Sequence, residues 1–171
     1  MTINYNHYMT IALRQAEEAL GKGEFPVGCV IVCGDAVVAT GVRQNSSEAL
    51  LNEIDHAEII ALREFSGKSG PADKTEAVLF CTLEPCLMCY AAIMLSGIRT
   101  IVYAYEDVMG GGTSVDLSGL APLYSKADMA IVPDVMRTGS LHLFIRFFEN
   151  PENRYWSNSL LEKYTLSQKN I

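Results

Sequence analysis

Met9, Leu13, Ala16 and Leu20 recur at spacings of three and four. That period predicts an amphipathic helix from about Asn6 to Leu20, ended by Gly21 and Gly23. Two apolar runs follow, Val27 to Val32 and Ala36 to Val42, and the turn signal Gly34-Asp35 makes them a strand pair. After a polar stretch from Arg43 to Glu53, a second helix is predicted from Asp55 to about Phe65. Asp55 is placed to cap it, with Glu58 three residues on as in a capping box. Beyond a loop from Gly67 to Lys74, Ala77 to Thr82 is apolar almost throughout, the mark of a central strand. Pro85 opens a helix to about Ser96, which Gly97 stops. Thr100 to Ala104 and Met129 to Val132 read as strands, with a long loop from Glu106 to Tyr124 between them. Ser140 to Phe148 is a further helix and Asn158 to Leu166 a last short one. Strands alternating with helices after a starting hairpin place the chain in the α/β class, a mixed sheet between helices.

Composition narrows this further. At 171 residues, one domain with a real core is expected. A hydrophobic content of 49% and a charged content of 19% are ordinary for a soluble globular protein, and no apolar run nears the roughly 20 residues of a membrane span. The start of the chain lacks the basic flank and apolar core of a signal peptide, so the cytoplasm and no membrane partner are expected. Five cysteines, an odd number, suit a reducing compartment; Cys29, Cys33 and Cys81 lie in or beside apolar strands and read as buried thiols. Net charge is −7, from 13 Lys+Arg against 20 Asp+Glu, with no basic cluster. That balance disfavours a polyanion partner, whose binding depends on counterion release.

The chemistry concentrates in His56-Ala57-Glu58 and Pro85-Cys86-Leu87-Met88-Cys89. Two thiols three apart on a helix point to one side. In its first turn they lie near unpaired N–H groups and the positive end of the dipole, which favours thiolate. Two thiolates and an imidazole give His56, Cys86 and Cys89 as three ligands for one zinc ion per chain. A structural site would be closed by a fourth; three leave a position open for water. Glu58 is then placed to move protons. Its alternative is the capping role above, and C-x-x-C alone would also fit redox or structural sites, but no thioredoxin-like Cys-Gly-Pro-Cys context is present.

The pattern H-x-E…P-C-x-x-C is the zinc deaminase signature. From about Gly23 to about Asp107 the chain resembles the cytidine deaminase superfamily, closest to bacterial tRNA adenosine deaminases and related free-base or nucleoside deaminases. The resemblance implies a three-layer α/β/α sandwich with a mixed five-stranded sheet. The deaminase domain would occupy 1–150, with 151–171 as a tail of the same domain. It implies hydrolytic removal of an exocyclic amino group as ammonia, with Glu58 as base and then acid. It also implies that Asn45 hydrogen-bonds the base, that Val27 lines the pocket, and that the chain is a homodimer packed through the Cys86 helix.

The resemblance breaks at informative places. Asn52-Glu53-Ile54-Asp55 replaces an Asp-Pro-Thr-like run before the histidine, and Glu106-Asp107 and Glu149 stand where the tRNA enzymes are basic. The expected substrate is therefore a small base or nucleoside. A tRNA wobble adenosine is the alternative, disfavoured by acidity, and a non-catalytic zinc-stabilised association domain is a remoter one. Five aromatics crowd the end: Phe144, Phe147, Phe148, Tyr155 and Trp156. Adjacent helical residues point about 100° apart, so Phe147 and Phe148 are not both expected inward. Phe148 or Trp156 is expected to cover the bound base.

Overall fold

The computed structural model describes residues 3–46, 51–67 and 74–169. Part of the polar stretch after Val42 and most of the loop after Gly67 lie outside these. The elements are α1 (Tyr5–Gly21), β1 (Gly28–Cys33), β2 (Ala36–Val42), α2 (Ala57–Gly67), β3 (Ala77–Leu83), α3 (Leu87–Leu95), β4 (Thr100–Tyr105), α4 (Pro122–Ser125), β5 (Ala130–Val132), α5 (Arg137–Glu149) and α6 (Leu160–Ser167). Each long periodic segment forms the element its pattern predicts. The short α4 and a 3₁₀ turn at Lys74–Glu76 were not expected, because a single turn carries too few residues to show a period.

The strands form one mixed sheet in the order β2-β1-β3-β4-β5. β1 runs antiparallel to β2 and β3, and β3, β4 and β5 run parallel. β3 is buried at every position, which is why its sequence shows no polar alternation. Val30, Val32, Val78, Phe80, Val102 and Ala104 meet Tyr8, Met9 and Ala12 of α1 on one face. On the other, Ile31, Leu79, Cys81 and Ile101 meet Ala57, Ala61 and Phe65 of α2 and Tyr90 and Ile93 of α3. Full burial of a side chain such as Phe65 or Ile93 contributes about 1.5–3 kcal/mol. Cys29 and Cys81 face one another across β1 and β3, fully buried and free; Cys33, at the strand end, is only half-buried.

Phe147 and Phe148 are both buried, contrary to the single-face expectation. The reason is that α5 is covered on more than one side. Phe25 packs edge-on against both rings, Phe144 lies against Phe148, and Tyr155 of the tail packs on Phe25. The tail is thus part of the core: Leu161 is buried and Thr165 bonds the Tyr105 hydroxyl at 3.0 Å.

One close approach sets where α2 begins. A Cβ at Gly41 of β2 would lie 1.9 Å from the Ala57 carbonyl oxygen, so only glycine lets the first turn of α2 rest on the strand. Gly41→Ala is expected to push that turn off the sheet and cost about 1–3 kcal/mol, as overpacking does, read as a lower urea midpoint. Because His56 and Glu58 stand on that turn, weaker zinc retention should accompany the loss.

Candidate active site

The ligand-bearing side chains stand at the beginnings of two helices. β3 ends at Leu83 and the chain turns through Glu84-Pro85 into α3. Cys86 is the N-cap of α3, with extended backbone at φ −67° and ψ 169°. Pro85 therefore stands one residue outside the helix, not at its first position as expected. Cys89 falls one turn on, so both sulfurs face the same side. His56 immediately precedes α2, and its carbonyl accepts from the Ile60 N–H at 3.0 Å. His56, not Asp55, is thus the residue at the helix start. Asp55 turns away to accept from the side-chain amides of Asn45 and Asn52 at 2.8 and 2.7 Å.

His56 Nδ1 lies 3.6 Å from Cys86 Sγ and 3.5 Å from Cys89 Sγ, and all three ligand atoms lie within 4.8 Å of one another. Bonds of about 2.0 Å to nitrogen and 2.3 Å to sulfur at tetrahedral angles put a nitrogen and a sulfur donor about 3.5 Å apart, so both nitrogen–sulfur distances fit zinc. Two sulfurs and an imidazole also match the softness zinc prefers. The Cys86 thiol is pushed down to about 4, chiefly because Cys89 hydrogen-bonds its thiolate, with His56 adding to the effect; Cys89 correspondingly holds its proton. A cation at this point lets both ionise.

Glu58, in the first turn of α2, is 3% exposed and lines the same cavity. Burial pushes its carboxyl up, opposed by the nearby His56. Its side chain is also engaged by the Cys81 thiol on the strand beneath. A buried carboxylate beside three metal-binding donors can exchange protons with whatever occupies the open position.

The cavity holds about 230 Å³. Of the residues expected to contact substrate, Val27 and Trp156 line it and Phe148 does not, being packed in the core. Asn45 is not among the lining residues; its Nδ2 donates to Asp55 Oδ2 at 2.8 Å. Several lining residues were not expected at the site from the sequence: Arg43, Glu53, Glu84, Asp107, Met109 and Tyr155. The detectable signal is the glycine run Gly110-Gly111-Gly112, which makes a close approach. A Cβ at Gly112 would lie 2.5 Å from the Leu87 nitrogen, and one at Gly111 would lie 2.3 Å from Glu84 Oε2. Only glycine lets this loop lie against the α3 start, where the Gly112 N–H donates to the Pro85 carbonyl at 2.9 Å. Glu84 then ties the loop down, accepting from Thr113 Oγ1 at 2.5 Å and from the Asp107 N–H at 3.3 Å.

The donor set generates a direct expectation. Protein expressed with zinc available should carry one zinc per chain by elemental analysis. Cys86→Ala and Cys89→Ala should each lose it and unfold at lower temperature, because binding energy here is partly folding energy.

Comparison with known proteins agrees with this geometry. Residues 2–105 match the family described as the cytidine and deoxycytidylate deaminase zinc-binding region. A tRNA-specific adenosine deaminase of Streptococcus pyogenes serotype M18 is 36% identical over 108 residues, 62% of this chain and 65% of that protein; the match thus spans just under two thirds of the relative's length. One from Buchnera aphidicola subsp. Schizaphis graminum is 32% identical over 151 residues, covering 85% of this chain and 94% of that protein. A solved structure from studies of A-to-I editing by tRNA:A34 deaminases superposes with a TM-score of 0.62 at 30% identity, covering 74% of this chain and 96% of that one. A family match over residues 2–105 that takes in all three ligands and Glu58 makes the chain a member of the cytidine and deoxycytidylate deaminase family, built around that family's zinc-binding region.

Proposed function

We propose that the chain is a hydrolytic deaminase that converts adenosine to inosine in a tRNA. The observation that carries this reading is the 32% identity to a tRNA-specific adenosine deaminase over 94% of that protein's length, joined to a cavity where Glu58 stands beside the three donors. A zinc ion held there supplies the Lewis acidity that gives water nucleophilic strength at neutral pH. Glu58 takes the proton of the attacking water and returns it to the ring nitrogen as the C–O bond forms. It then transfers a second proton from the added oxygen to the amino group. The C–N bond breaks, ammonia leaves and the carbonyl remains. Val27 bounds the ring on the β1 side.

Part of the acidity that disfavours RNA at the level of composition is paired within the fold. Glu106 accepts from Arg137 Nε at 2.8 Å and from the Tyr164 hydroxyl at 2.5 Å. Glu149 pairs with Lys169, and Glu53 with the buried Arg43. These carboxylates fasten the tail and the pocket wall, and their charge is balanced where it stands.

A second reading, deamination of a free base or nucleoside, has one observation in its favour. Tyr155, Trp156 and Leu161 of the tail all line the cavity. Trp156 is 43% exposed and adopts a left-handed backbone, φ 57°, which a bulky residue seldom takes without a reason. Such a wall restricts entry and excludes water.

The chain is further proposed to act as a homodimer through α3. That helix, Leu-Met-Cys-Tyr-Ala-Ala-Ile-Met-Leu, is apolar all round, and its ends Leu87 and Leu95 are more than half exposed.

Three outcomes follow. Incubated with tRNA bearing a wobble adenosine, the zinc-loaded protein should yield inosine. Ammonia release from free bases or nucleosides with tRNA left unchanged would replace the first reading by the second. Glu58→Gln should retain zinc and lose about 10²–10⁴-fold in kcat, measured on whichever substrate is turned over. Light scattering should give twice the 18.8 kDa chain mass. Leu95→Asp should shift it toward the monomer, as expected of an interface above about 1,000 Å².

A further inference from the structure

We infer that Glu53 is a positioning residue for the metal ligand His56, and that Arg43 and Tyr155 hold it in place, which makes the C-terminal tail part of the metal site. His56 turns Nδ1 toward the two sulfurs, so Nε2 is at the far side of the ring. There it lies 3.9 Å from Glu53 Oε2. That oxygen also accepts from the Tyr155 hydroxyl at 2.7 Å and from Arg43 Nη2 at 3.3 Å. Three groups from three parts of the chain therefore converge on one carboxylate oxygen.

Arg43 makes the arrangement rigid. It is 2% exposed, and its Nη1 donates to the carbonyls of Gln44 and Asn52, both at 2.9 Å. Its guanidinium lies over the Tyr155 ring, 5.6 Å from the centroid, and that ring packs in turn on Phe25. A buried guanidinium without partners would be costly; here it is satisfied by carbonyls on one side and the carboxylate on the other. Although the Glu53 side chain is half exposed at 48%, it is pinned at its tip.

The consequence lies in the histidine tautomer. A ligating imidazole binds metal through one nitrogen and needs the proton on the other, and an outer carboxylate fixes both the tautomer and the ring orientation. Glu53 Oε2, at 3.9 Å, stands about 0.7 Å beyond ordinary hydrogen-bond range of Nε2, so its charge faces that nitrogen and a direct bond would require the gap to close when metal binds. Tyr155 lies 102 residues after Glu53, in the tail, so the outer support of the ligand is assembled from both ends of the domain. This inference rests on the zinc site and not on which adenosine or base is deaminated.

A purely structural Glu53 would dock the tail and leave the metal alone, and the two roles separate by experiment. Zinc affinity is measured by competition with a chromophoric chelator on wild type, Glu53→Gln, Glu53→Asp and Tyr155→Phe, with the melting temperature of each zinc-free protein alongside. Glu53→Gln keeps a tail acceptor but removes the charge facing Nε2; it should weaken zinc binding about 10–100-fold. Glu53→Asp should recover part of that loss. Tyr155→Phe, which only frees the carboxylate, should weaken binding in the same direction by a smaller factor. In ¹⁵N spectra of the zinc-loaded wild type, His56 should show a protonated Nε2 that shifts in Glu53→Gln. Zinc affinity within about twofold of wild type in Glu53→Gln, with a lowered melting temperature, would leave Glu53 a tail anchor only. Should Glu53→Gln fail to fold, unchanged affinity in both Glu53→Asp and Tyr155→Phe overturns the inference equally. Activity on tRNA or free bases enters none of these readings, so the substrate proposal stands or falls separately.

Discussion

Two helices have to begin at the same point in space, and most of the molecule serves that requirement. His56 precedes α2 and Cys86 caps α3, yet they are separated by 30 residues that include a helix and the central strand. Their side chains meet because α2 and α3 pack on the same face of the sheet, through Ala57, Ala61, Tyr90 and Ile93. Packing of that density fixes the helix starts, which loops alone would not do. The glycines at 41 and 112 remove the two Cβ atoms that would force the backbones apart. A metal ion bound there would in turn draw together segments whose ends carry unpaired N–H groups and like-charged thiolates, so the fold and the ion stabilise one another.

The charges near the site are arranged to limit the cost of burial. Glu58, buried, is raised in pKa by desolvation, the state of a carboxyl that can hold a proton as well as release one. Arg43 is buried too, but fully bonded. Glu84 and Asp107 are turned into loop anchors by backbone N–H groups, Asp107 Oδ1 accepting from Met109 and Gly110 at 2.9 Å each. One pocket thus contains carboxylates of quite different character, and the difference comes from what each touches and not from residue type.

The tail has a similar lesson. α6 docks by a polar network: Arg137 binds Glu106 and Gln168, Tyr164 reaches Glu106, and Tyr105 meets Thr165. Between α5 and α6, Tyr155 and Trp156 reach the cavity. Apart from Tyr105, these residues lie beyond the span 2–105 matched by the family.

The sequence by itself determined the elements and the ligands. Every long segment was legible because burial on one face imposes a period, and the ligands were legible because C-x-x-C on a helix and H-x-E at a helix start have fixed local geometry. Only the tertiary structure decided that Phe147 and Phe148 are both buried, and that Arg43, Glu53 and Tyr155 form one cluster. Those outcomes depend on residues more than a hundred positions apart, and no local period reports on them. A lone arginine at a strand end, or a glutamate in a polar run, carries no mark of its partner. The glycine run shows the limit most plainly: three glycines announce an unusual backbone, but whether they serve motion or close contact depends on what lies against them, here the first turn of α3.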